Sequence, residues 1–231
     1  MTTRLLERFD RIVVFDTETT GIDFQKDEII ELGAVCLTAE GEMAAMDDLI
    51  RLSPGRSLPP FITDLTGIKP EQLKEEGVEK AEAAAHFCQL LEGAERPLLA
   101  AYNAQFDLSF LYYFLRPLGR AAVLGPPRFL DLLTVYRDRR DYPHRLSDAI
   151  TAFNLTGAVN SHRAVDDARA ALDLLGAMEA ERDDLDRYID LFGTHPKYGI
   201  SGKPISSVTY RPQSYQQQRP LYEFGESVKD L

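Results

Sequence analysis

The sequence predicts an α/β fold: a mixed five-stranded sheet with helices on its faces. Three observations carry that prediction. Short apolar runs rich in β-branched residues recur along the chain, each too brief for a helix and bounded by turn residues. The first three follow one another as a hairpin set, and the later ones alternate with helical patterns, the order expected of a sheet with both antiparallel and parallel neighbours. The length, 231 residues, suits one well-filled core with a short appendage, not two ordinary domains.

Residues 11–18 (RIVVFDTE) open with a buried-strand pattern that Thr20 and Gly21 end. Strand signals recur at 28–38 (EIIELGAVCLT) and 47–52 (DDLIRL), with Gly41 between them as a turn cue. From Pro59 the pattern becomes helical, through FITDLTGI and PEQL to the alanine-rich stretch 78–91. A short strand at 97–102 (PLLAAY) precedes an apolar helix at 105–118, which Arg116, Pro117 and Gly119 close. The last strand is expected at 128–132 (RFLDL), followed by helices at 133–140, 145–153 and 164–180. Leu185, Tyr188, Ile189 and Phe192 then form one stripe, so a further amphipathic helix is expected over 181–192. From Gly193 onward the chain is rich in Pro, Gly, Tyr and Gln, with five Lys and Arg against three Asp and Glu. That composition reads as an extended tail that either wraps the core, through Tyr198, Ile200, Ile205, Val208 and Tyr210, or docks on a partner.

Charge and cysteine usage limit the function classes. A formal net charge of -11 argues against non-specific grip on a duplex, which depends on many Lys and Arg neutralising phosphates. It leaves a nucleic-acid substrate open, because part of the acidity can belong to a metal site whose bound cations reverse the local field. Two cysteines, Cys36 and Cys88, are too few for a disulfide framework or a thiolate zinc site. No apolar run approaches a membrane span and MTTRLLERFD lacks a signal-peptide core, so a cytoplasmic protein without membrane contact is expected.

Four acids and a histidine stand out. Asp16 and Glu18, one residue apart on a strand, point to the same face and can share a cation. Thr17, Thr19 and Gly21 around them allow close approach of a nucleotide sugar. Asp107 follows Asn103 and Phe106 at the opening of a helix, just beyond the strand 97–102, and faces the first pair if the two strands are neighbours. His162 lies in a loop and can take a proton from water near neutral pH. Asp166 and Asp167 both follow it, and helical geometry turns them about 100° apart, so only one of the two faces the other acids. His86 reads as a packed or surface histidine, and His144 and His195, in Pro-flanked loops, gain no role from their positions.

FDTETTG, NAQFD and HRAVDDA, in that order and spacing over residues 10–178, resemble the three motifs of the DEDDh branch of DnaQ-like exonucleases. This family includes the proofreading epsilon subunits of bacterial DNA polymerase III. The resemblance implies an RNase H-like fold for an exonuclease domain at 1–180, ahead of a helix and tail at 181–231. It also implies two divalent cations, Mg²⁺ or Mn²⁺, about 4 Å apart. By the same resemblance Asp16 bridges both ions, Glu18 and Asp167 complete one coordination sphere, Asp107 anchors the other, and His162 is the general base. Thr17 and Thr19 would hold the terminal 3′-OH, Asn103 would belong to the substrate site, and Leu65 and Phe106 would wedge or stack the last bases. The implied partners are single-stranded 3′ ends, DNA ahead of RNA, and a DNA polymerase subunit reached through the tail. An exoribonuclease and an inactive exonuclease-fold binding module are the competing readings.

Overall fold

The structure is a computed structural model that describes residues 3–158, 160–200, 202–216 and 220–223. Its centre is a five-stranded sheet built from β1 (Arg11–Thr19), β2 (Ile29–Thr38), β3 (Gly41–Leu49), β4 (Pro97–Ala101) and β5 (Arg128–Asp131), in the order β3-β2-β1-β4-β5. The pairs β1–β2 and β2–β3 are antiparallel, whereas β1–β4 and β4–β5 are parallel. The sheet is therefore mixed, as expected, and the carboxyl ends of β1, β4 and β5 share one edge.

Period-two alternation sorts β1 into two cores. Val13 and Phe15 pack toward α3 (Lys80–Leu91) and α4 (Ala104–Leu115), with α1 (Pro60–Thr66) and α2 (Pro70–Glu75) preceding them in the chain. Ile12 and Val14 pack toward α5 (Leu132–Arg139), α6 (Leu146–Ala152) and α7 (Ala164–Glu181). Each of these fully buried side chains stabilises the fold by about 1.5–3 kcal/mol. A smaller cluster seats α1 and α2 on β2 through Ile30, Ile62, Ile68 and Leu73.

Two expectations need correction. The third strand was expected at 47–52 but runs over Gly41–Leu49, and Ile50 makes an isolated bridge to Val78. Its composition, GEMAAMDDL, carries little strand propensity. Pairing with β2 through the two-residue turn at Ala39 and Glu40 decides it instead, since Thr38 pairs with Gly41, whose φ of 118° suits glycine.

The helix expected over 181–192 is absent. Helix α7 ends at Glu181, a 3-10 turn covers Leu185–Tyr188, and β6 (Leu191–Thr194) follows. Leu185 and Tyr188 belong to the α7-side core and Phe192 to the α4-side core, so one straight helix could not bury all three. The chain turns at Asp190, whose φ is 55° and whose carboxylate accepts from Phe129 N at 2.7 Å. It then rounds the β5 edge of the sheet.

β6 pairs in parallel with β7 (Thr209–Pro212), and Val208 and Tyr210 join the α4-side core with Ile200 and Ile205 packed against it. The Tyr210 hydroxyl donates to Gln105 Oε1 at 2.5 Å and accepts from Ile205 N at 2.7 Å. Among the described residues, no helix is long and apolar enough to cross a membrane.

Candidate active site

The expected site residues gather around the carboxyl end of β1, and the alternation of that strand explains how. Asp16 and Glu18 share parity with Ile12 and Val14 and face α7, whereas Thr17 shares parity with Phe15 and faces α4. From the α4 side comes Asp107, only 3% exposed, whose Oδ1 accepts from Thr17 Oγ1 at 2.7 Å and from Thr17 N at 3.1 Å. From the α7 side comes buried Asp167, which accepts from Ser161 N at 3.0 Å and Asn160 Nδ2 at 2.5 Å. Asp166, one position earlier, is exposed and accepts from the Ser161 hydroxyl at 2.9 Å. Ligand atoms of Glu18, His162 and Asp167 all lie within 4.8 Å of one another.

Three residues that sequence reasoning passed over hold this arrangement together. Gly33 lies opposite Asp16 on β2, and a Cβ there would fall inside the backbone of Ala164 and Val165. Only a glycine lets the first turn of α7 settle on the sheet beside Asp16. Glu31, opposite Glu18, is fully buried and accepts from Arg163 Nε at 2.7 Å, Arg163 Nη2 at 2.5 Å and Ala164 N at 2.7 Å, tying the start of α7 to β2. Asp131, at the end of β5, accepts from Asn103 N, Ala104 N, Leu133 N and the Thr134 hydroxyl. It thereby fixes the turn from which α4 carries Asp107. The signals were present in the sequence: a charge and a glycine inside an apolar strand, and an acid ending the last strand.

Burial and mutual repulsion dominate the electrostatics. The Asp16 carboxyl is pushed well above the usual range, first by burial and then by Asp107, Glu18 and Asp167. Glu18 is pushed up to about 8 by burial and the neighbouring acids Asp167, Glu31 and Asp107. Asp107 rises to about 7 through burial, against the opposing pull of its Thr17 hydrogen bonds. Asp167 rises to about 6 for the same first reason, held back by Ser161, His162 and Asn160. Arg163, the cation acting on Glu18, is itself paired with Glu31, and the oxygen-rich donors of the set suit a hard divalent cation.

The expected substrate residues sit in different settings. The N–H and hydroxyl of Thr17 are both spent on Asp107, and the Thr19 hydroxyl donates to Gly21 O at 2.6 Å. Asn103 is exposed at the start of α4 with φ 70°, and Phe106 is half-buried with its ring centroid 4.9 Å from that of Phe110. Leu65 is 50% exposed on α1, which packs through Ile62 on Ile30, the neighbour of Glu31. His162 has φ 54° and is half-buried.

Residues 13–175, which hold all five of the clustered acids and histidine, match the exonuclease family RNase_T. The chain belongs to this exonuclease family. It is 33% identical over 174 residues to the DNA polymerase III subunit epsilon of Treponema pallidum, covering 72% of this chain and 75% of that one. It is 30% identical over 220 residues to a PolC-type DNA polymerase III of Caldanaerobacter subterraneus, covering 94% of this chain but only 14% of that much longer relative.

Among solved structures, exonuclease I superposes with a TM-score of 0.69 at 20% identity, over 78% of this chain and 43% of that one. E. coli exonuclease I in complex with a dA16 oligonucleotide matches with the same TM-score at 19% identity, over 78% and 42% of the two chains. The exonuclease family fold is thus RNase H-like, in agreement with the sequence motifs.

Proposed function

We propose that this exonuclease-family chain hydrolyses the terminal phosphodiester of single-stranded DNA from the 3′ end, releasing nucleoside monophosphates. The observation that carries the reading is the convergence of Asp16, Glu18, Asp107, Asp167 and His162 on one strand end, with raised carboxyl pKa values that a cation would relieve. Glu18 and Asp167, with Asp16 beside them, are the residues to hold one divalent cation, Mg²⁺ or Mn²⁺, and Asp107 with Asp16 a second. Bound cations supply the positive charge that activates water and stabilises the leaving oxygen.

The remaining roles belong to the chain. The His162 imidazole accepts the proton of the attacking water at a ring nitrogen. Thr17 fixes the Asp107 carboxylate, while Asn160 and Ser161 fix Asp167, so neither acid must be reoriented when substrate arrives. Asn103, Phe106 and Leu65 offer exposed or half-buried surface around the cluster for the sugar and the last bases. Thr19 borders the same strand end. The names of the relatives support a setting beside a DNA polymerase, which co-purification with a polymerase catalytic subunit would test.

The deciding experiment follows a 5′-labelled single-stranded oligonucleotide with and without Mg²⁺. Stepwise shortening that EDTA abolishes is expected, and full activity in Asp107→Ala sinks the reading. Faster turnover of a matched RNA would move the substrate from DNA to RNA. Substituting His162→Asn should lower kcat much more than cation affinity, and the opposite pattern would make His162 a ligand.

A further inference from the structure

Five rings form a continuous file over the carboxyl edge of β5, the three nearest the C-terminus lying outside residues 13–175 that match the exonuclease family. Tyr142 meets both His144, at 5.9 Å, and Tyr215, at 5.6 Å, and His144 stacks on Tyr215 at 5.4 Å with planes 23° apart. Tyr215 meets His195 at 4.5 Å, and His195 stacks on Tyr198 at 4.7 Å with planes 28° apart. The two ends of the file are open to solvent, Tyr142 being 72% and Tyr198 70% exposed. These two rings offer faces and edges to the outside, where a planar group can stack on them.

Cations accompany the rings. The Arg137 guanidinium lies 5.3 Å from the Tyr215 centroid and the Lys197 ammonium 5.2 Å from that of Tyr198. Among the described residues the buried Nε of Arg137 has no hydrogen-bond partner. Asp131, the nearest acid in the same cleft, is already saturated by four donors from its own neighbourhood. In a chain of net charge -11, an arginine beside a run of rings and with no hydrogen bond among the described residues is a local exception, its charge acting on Asp131 across the cleft.

Part of the file lines a cleft on the same sheet edge as the candidate active site. A cleft of about 330 Å³ is lined by His195, Tyr198, Tyr215 and Arg137 and reaches Asn103 and Asp131. β5 lies two strands from β1 at the same sheet edge, about 10 Å away. We propose that this file is a track for single-stranded nucleic acid, taking the nucleotides that lie 5′ of the scissile phosphate. Bases stack on Tyr198 and Tyr142, and phosphates pair with Arg137 and Lys197. Stacking is tolerant of sequence because every base has a π face, which suits an enzyme that must accept any strand. The inference rests on the 3′-exonuclease reading for its strand polarity.

The test compares a fluorescent trinucleotide with a dodecanucleotide, both carrying phosphorothioate linkages that resist hydrolysis, by anisotropy in Mg²⁺. Wild-type protein should bind the longer strand about tenfold or more tightly than the shorter. Tyr142→Ala and Tyr198→Ala, both at exposed rings, should each weaken dodecanucleotide binding about fivefold or more. Met43→Ala, an exposed change on the far edge strand, should not. Arg137→Gln should flatten the salt dependence of dodecanucleotide binding. Equal affinity for the two lengths, or a length effect that survives in the Tyr142→Ala/Tyr198→Ala double variant, overturns the proposal and leaves the rings to a protein partner. Hydrolysis of unmodified oligonucleotides by the wild type reports separately on the exonuclease reading, so failure of one is not failure of the other.

Discussion

Asp16 and Asp131 stand two strands apart at the same edge of one sheet, and burial pushes both carboxyls up. Asp131 accepts four hydrogen bonds from the turns on either side of it. Asp16 accepts none among the described residues and faces Asp107, Glu18 and Asp167 instead. A buried acid surrounded by donors holds a fold together; a half-buried acid surrounded by acids works against the fold and is retained for what it can attract. The contrast separates architecture from chemistry within one sheet edge.

The largest expected effect is on catalysis. Asp16→Ala should lower exonuclease activity by about 10²–10³-fold or more while leaving the thermal midpoint of the metal-free protein unchanged or higher. An unfolded Asp16→Ala protein would break the comparison, because it would show that Asp16 is structural as well. Next comes Asp131→Ala, which strands several buried donors and should cost about 3 kcal/mol in urea unfolding. An unaltered midpoint there would break the comparison from the other side.

Gly33→Ala sharpens it, since the added methyl must displace the first turn of α7. Loss of about 1–3 kcal/mol together with reduced activity is expected, as the same displacement withdraws Asp167. A stable, fully active Gly33→Ala protein would show that the close approach of β2 and α7 is dispensable.

The smallest effect concerns pH. Carboxyl pKa values raised in the folded state mean that the folded protein binds protons more tightly than the unfolded chain, so ionisation opposes folding. Stability of the metal-free protein should therefore fall as pH rises from about 4, where the carboxyls of the unfolded chain ionise, and level off above about 8, once Asp167, Asp107 and Glu18 have ionised in the folded state. Thermal melts in EDTA at pH 5 and pH 8 measure this. Added Mg²⁺ should restore the midpoint at pH 8 and do little at pH 5. Asp16→Asn should flatten the pH dependence, and no change in slope would place the repulsion elsewhere.

Several elements were legible because their signal is local. The β-branched run before FDTETTG, the apolar helix after NAQFD and the alanine-rich helix from Ala164 each carry their own periodicity. β3 was not, because its strand state comes from pairing with β2 and not from its own side chains. The segment after Glu181 misled for a related reason. Its stripe of Leu185, Tyr188 and Phe192 is truly buried, but periodicity cannot tell that the residues belong to opposite faces of a sheet. At the site, the acids were visible as motifs, whereas Glu31, Gly33 and Asp131 act through partners more than 25 positions away, such as Arg163 and Asn103.

By itself the sequence determined the order of strands and helices up to Glu181, the reactive side chains and the family to which they belong, since spacing, residue type and motif order are properties of the chain. The motif match singled out Asp167 over Asp166, but only the tertiary structure decided that Thr17 is committed to Asp107 and that the C-terminal rings reach the edge of β5. Those outcomes depend on which faces meet, and that is set by the register of β1 on β2 and by the close seat of α7 over Gly33.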